Sequence, residues 1–187
     1  MTAMAKEEIT REMRRLLCLI AESTKSDGQY GKLAIKDLSL KALIHTAIIK
    51  KVLDYDYAPA SIMYMENRRY LNISQEGEDD LNDLRDLGLL NKVRLATKSH
   101  SFIYAYILSE KGIQFLNSIP KEDCDAVNPI IKCALCGNNF EIKINMEGIF
   151  FICEKCNLKI DSEITEIEDV AYKSIPFKIK TRLTAKM

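Results

Sequence analysis

Two Cys-x-x-Cys pairs, Cys133-Ala134-Leu135-Cys136 and Cys153-Glu154-Lys155-Cys156, lie 16 residues apart near the C-terminal end of the chain. Each such turn holds two thiolates close enough to share one ion, and two turns supply the four sulfurs that close a tetrahedral Zn²⁺ site at about 2.3 Å per bond. A redox dithiol is a rival use of the motif, but it calls for one pair at a helix start within a βαβ unit, a pattern this sequence lacks. The N-terminus mixes acids and bases and shows no basic-then-apolar leader. The expectation is therefore an intracellular protein, cytoplasmic or nucleoid-associated, in which paired cysteines bind metal rather than form disulfides. Four protein ligands leave no position for water or substrate, so the ion is expected to be structural.

Between the pairs, Phe140, Ile142, Ile144 and Met146 alternate with Glu141, Lys143 and Asn145. Asn145-Met146-Glu147-Gly148 reads as a hairpin turn, and residues 149–152 as the returning strand. Hairpin plus two knuckles make a C4 zinc ribbon, expected over residues 121–165. An S₄ site also accepts rubredoxin-like iron, so zinc and iron both stay open. Cys18 and Cys124 stand outside the scheme, the first on the apolar face of a helix and the second in an irregular linker over residues 121–128.

The remainder is ordinary for a globular chain: 187 residues, 47% hydrophobic and 29% charged. That length suits one domain or two small ones, and no apolar run approaches the ~20 residues of a membrane span. Lys+Arg and Asp+Glu are 27 each, so no whole-molecule field steers the protein to nucleic acid.

Ile9, Met13, Leu16, Leu17 and Ile20 predict an amphipathic helix over residues 4–22, an appendage joined by a glycine-bearing loop, together residues 1–35. A second helix starts after Asp37 or Ser39, runs through Leu40, Leu43, Ile44, Ala47, Ile48 and Val52, and is ended by the stretch from Tyr55 to Pro59. Pro59 suits the start of a third helix over residues 60–71. Ser74 caps a fourth, with Leu81, Leu84 and Leu87 on one face and Gly88 as its stop. Two strands follow, residues 90–95 and 102–108, around a polar tip. Ser109 then caps a short helix that Pro120 closes.

Leu71, Ile73, Ser74, Leu81, Leu84, Leu87, Gly88 and Leu89, with the run Tyr106-Ile107-Leu108-Ser109-Glu110-Lys111-Gly112, resemble the winged helix-turn-helix of MarR-type and ArsR-type transcription regulators. The resemblance spans residues 37–118. It implies an α+β fold, a winged helix-turn-helix over 36–120 followed by the small ribbon; residues 166–187 read, by their lysines and arginine, as a basic tail. A winged helix joined to a C4 ribbon is also similar to archaeal transcription factor E and the large subunit of eukaryotic TFIIE, which implies work at the RNA polymerase pre-initiation complex.

The fourth helix resists a groove-reading role. Glu76, Glu78, Asp79, Asp80, Asp83 and Asp86 stand against Arg85 alone, whereas the N-terminal half of a recognition helix enters a groove lined with phosphates. Nucleic-acid contact is therefore expected from the wing, through Lys92, Arg94, Lys98 and His100, and from Arg68 and Arg69 at the end of the third helix. Glu76, Asp79, Asp80 and Asp83 become candidate protein-partner residues.

Two functional classes follow. One is a non-enzymatic transcription-associated protein that binds DNA or the transcription machinery. The other is a protein-interaction adaptor that uses the acidic helix without touching DNA. The first helix offers a homodimer contact in either case. With two histidines, seven glycines, no phosphate-cradling loop and no nucleophile elbow, no catalytic residue is expected.

Overall fold

Thr10 Oγ1 accepts the backbone N–H of Met13 at 3.1 Å and so caps helix α1 (Arg11–Ser23). The computed structural model describes residues 9–26, 28–56, 58–64, 67–95, 103–145, 148–161 and 166–168. It is a mixed α+β fold with, among these residues, five helices and three three-stranded sheets.

Helix α1 is no appendage. Leu16, Leu17, Cys18, Leu19 and Ile20 are all fully buried, because five consecutive apolar residues wrap more than one stripe of a helix and need cover on several sides. The face offered by the sequence for pairing with a second copy is occupied inside the chain, by helix α2 (Asp37–Ile49), helix α3 (Gln75–Asp86), helix α4 (Glu110–Leu116) and helix α5 (Lys121–Ile131).

The expected third helix is instead a hairpin, β2 (Ala58–Tyr64) and β3 (Asn67–Ile73), in register from Ala58↔Ile73 to Tyr64↔Asn67. Isoleucine and tyrosine are stiff or bulky next to the backbone and suit a pleated strand, and a two-residue connection closes an antiparallel pair. Their ladder outweighs the helix start that Pro59 suggested. Strand β9 (Glu166–Glu168) adds to the other side of β3. Arg68 and Arg69 consequently lie within a strand, not at a helix end.

Over residues 74–95 and 103–116 the expected elements are found. Ser74 Oγ accepts the Gly77 N–H at 2.9 Å and starts α3. Strands β4 (Leu90–Leu95) and β5 (Ile103–Leu108) pair from Leu90↔Leu108 to Leu95↔Ile103, and β1 (Ile35–Lys36) flanks β5. Ser109 Oγ accepts the Gly112 N–H at 2.9 Å and donates to the Gly88 carbonyl at 2.6 Å, which caps α4 and ties it to the end of α3.

Residues 121–128, read as an irregular linker, form most of α5. Glu122 and Asp123 sit in its first turn, where carboxylates offset the helix dipole. Val127, Ile130 and Ile131 supply a buried stripe. Beyond it, strands β6 (Glu141–Asn145), β7 (Gly148–Cys153) and β8 (Leu158–Asp161) form an antiparallel sheet. Among the described residues no helix is long and apolar enough to cross a membrane.

Candidate metal centre

The first knuckle begins where α5 ends. The Cys133 N–H donates to the Asn138 carbonyl and the Gly137 N–H to the Cys133 carbonyl, both at 2.8 Å. Such a tight turn forces one residue into left-handed backbone, and Gly137, at φ +73°, takes it without a Cβ penalty. The second knuckle turns at the end of β7, with the Asn157 N–H on the Glu154 carbonyl at 3.3 Å and Asn157 at φ 51°. Asparagine is among the side chains that best tolerate that region.

The sulfurs of Cys133, Cys136, Cys153 and Cys156 all lie within 4.8 Å of one another, and those of Cys136 and Cys153 are 3.5 Å apart. A tetrahedron with ~2.3 Å metal–sulfur bonds has edges of about 3.8 Å, so the four thiols are close enough to hold one metal ion with sub-ångström adjustment. Cys133 and Cys153 are buried, while Cys136 and Cys156 are half-buried. Burial opposes ionisation of Cys133, yet the backbone N–H groups of Leu135 and Cys136 donate to its sulfur and bring it down to about 7. Burial raises Cys153, and the neighbouring Cys136 thiol, followed by burial, raises Cys156 to about 12. In the absence of an ion, four thiolates this close repel one another. A divalent cation removes that penalty and releases the protons.

The centre is braced against the helical body. The Phe140 N–H donates to the Ile131 carbonyl at 2.8 Å, and Asn139 Nδ2 donates to the Glu22 carbonyl at 3.0 Å. Phe151, 3% exposed, belongs to the main core, with Phe140 and Ile142 packed against it.

Cys18 and Cys124 are disulfide-bonded to each other. This corrects the reading of one as plain core filler and the other as a linker spectator. Beside them, the buried carboxylate of Asp123 accepts from Arg14 Nε at 2.7 Å and Arg15 Nε at 3.2 Å. Burial pushes this carboxyl up, but the two guanidiniums prevail and hold it below the ordinary value. The sequence carried no sign of this clamp, because its halves are more than 100 residues apart and only the α1–α5 packing joins them.

Among the candidate nucleic-acid residues, Lys92 and Arg94 are brought together on β4. Lys92 Nζ lies 5.0 Å from the Tyr104 ring centre and 5.3 Å from that of Tyr106, and the Arg94 guanidinium lies 5.8 Å from Tyr104. Lys98 and His100, like the tail lysines, lie outside the described residues. Several α3 acids have internal partners: Glu76 accepts the Asp56 N–H at 2.7 Å, Asp80 accepts the Tyr55 hydroxyl, and Asp79 accepts Gln75 Nε2 at 2.9 Å. Glu78 shares Lys41 with Asp37, each at 3.0 Å. Burial, then Asp80, raises the Tyr55 hydroxyl well above its usual range, so it stays a donor. Asp83 is exposed.

No curated protein and no solved structure matches the chain. The model of the family described as "Uncharacterized protein MJ1567 family" matches residues 12–165, from α1 to beyond the last of the four clustered cysteines, and the chain belongs to that family.

Proposed function

We propose that the protein is a non-enzymatic, transcription-associated module in which a wing-bearing helical body and a zinc ribbon dock on DNA or on the transcription machinery. The observation that carries this reading is the gathering of four cysteines on two knuckles of a three-stranded sheet, a site with every coordination position filled by protein and therefore suited to structural Zn²⁺. The four residues would hold the ion, which supplies a cross-link between the knuckles. The run α3, β4, β5, α4 has the order of a recognition helix, wing and closing helix, which supports a winged-helix reading. The β2–β3 hairpin stands where the first helix of a helix-turn-helix is expected, so this body departs from that motif and α3 is not its groove reader.

Contact with nucleic acid falls to the wing. Lys92 and Arg94 stand on one face of β4, directly across from Tyr106 and Tyr104. The internal use of Glu76, Glu78, Asp79 and Asp80 weighs against the adaptor reading, because those acids already serve the fold. Fluorescence anisotropy on duplex DNA tests the proposal. Binding should weaken steeply with salt, and replacing Lys92 and Arg94 together by alanine should flatten the log–log salt slope by about 1–2. Asp79→Lys with Asp83→Lys should leave affinity unchanged or raise it. No binding at low salt, with a native protein partner lost in the same charge-reversal variant, would favour the adaptor.

A further inference from the structure

We infer that the Cys18–Cys124 disulfide is a redox latch on helix α5 that sets how firmly the first knuckle of the metal centre is held. The metal half of this inference rests on the metal reading above, while the α5 half does not. Cys124 lies in the first turns of α5 and Cys133 follows its last residue by two positions. The same helix thus carries the disulfide at one end and leads into a ligand at the other. Its C-terminal end is also where the Phe140 N–H meets the Ile131 carbonyl. Covalent attachment of Cys124 to the fully buried Cys18 leaves α5 one position on α1.

The two residues differ in access. Cys18 is sealed in the core, while Cys124 is half-buried at its edge, so an external thiolate approaches from the Cys124 side. A dithiol reductant opens the latch in two displacements. One of its thiolates attacks the Cys124 sulfur, forming a mixed disulfide and expelling the Cys18 thiolate, which takes a proton. Its second thiolate then attacks the reductant's own sulfur of that mixed disulfide, releasing Cys124 as a thiolate that is protonated in turn. The reductant leaves as its disulfide, two electrons having passed to the protein cysteines. The contacts that remain, the Arg14–Asp123–Arg15 clamp and the buried Val127, Ile130 and Ile131, keep α5 on α1 but permit it to open. The opened state is the end of a graded response and not an unfolded chain.

The test uses the full chain loaded with Zn²⁺ in four forms: as oxidised, after dithiol reduction with excess reductant removed, Cys18→Ser and Cys124→Ser. A chromogenic chelator reads the rate of zinc release, and hydrogen exchange reads residues 121–133. Loss of a support behind a ligand should speed release by about tenfold or more, and amide protection over 121–133 should fall in the reduced wild type and both variants alike. The reduced wild type carries the inference should a variant fail to fold. Equal release and equal exchange in oxidised and reduced chains overturn it, as does a denatured, metal-stripped oxidised chain that shows six titratable thiols rather than four. A chain that holds no zinc in any form defeats the metal reading alone, and the exchange data then decide whether the latch exists.

Discussion

Asp123 shows how one buried charge is made tolerable. A carboxylate at 2% exposure is costly alone, and it is held here by two guanidiniums that keep part of their own surface in water. Asp123→Asn leaves both arginines without their anion, and should lower stability by about 2–3 kcal/mol at neutral pH in urea unfolding. The sign with pH follows from the direction of the shift. The folded-state value lies below that of the unfolded chain, about 3.9, so the contribution is complete above that value and is lost as pH falls through the folded one. Wild type and Asp123→Asn should therefore differ fully above about pH 4 and converge progressively as pH falls below it. At this scale the clustering of Cys133, Cys136, Cys153 and Cys156 was legible because a Cys-x-x-Cys turn is local. The Asp123 clamp and the Cys18–Cys124 bond were not, since each joins segments more than 100 residues apart.

Elements announced by a local cap were legible, and those decided by distant packing were not. Ser74 and Ser109 each accept the N–H three residues on, and α3 and α4 begin where those caps predict. Nothing local distinguishes the polar opening of α5 from a loop, and its packing on α1 decides it; the 60–71 stretch is decided by its own β2–β3 ladder, with β9 along the other side of β3. Two substitutions test how elements meet. A Cβ at Gly112 would lie 2.1 Å from the Leu89 carbonyl oxygen and 3.0 Å from its carbon, both backbone atoms. Gly112→Ala should force α4 away from the entry to β4 and cost about 3 kcal/mol, whereas Gly77→Ala, whose Cβ meets nothing closer than 3.4 Å, should fall within about 1 kcal/mol of wild type. Leu17→Ala should cost about 2–5 kcal/mol by thermal unfolding, as expected of a fully buried core leucine. A change under 1 kcal/mol would return α1 to the status of an appendage.

As a whole molecule, the protein joins a helical core to a sheet built around four thiols. The junction, where α5, Asn139 and Phe151 bind one to the other, was not legible in the sequence, because its contacts join distant segments. Because the sheet that carries the four cysteines shares core with the helices, removal of a bound metal should loosen more than the knuckles: exchange protection should fall over residues 132–161 first and over α5 next. The most direct measurement is native mass spectrometry of the purified chain, run beside thiol alkylation under native conditions. One zinc per chain is expected, with Cys133, Cys136, Cys153 and Cys156 protected until a chelator is added and the metal lost on replacing any one of them by serine. A native chain free of tightly held metal, its four cysteines alkylated at once, would contradict it.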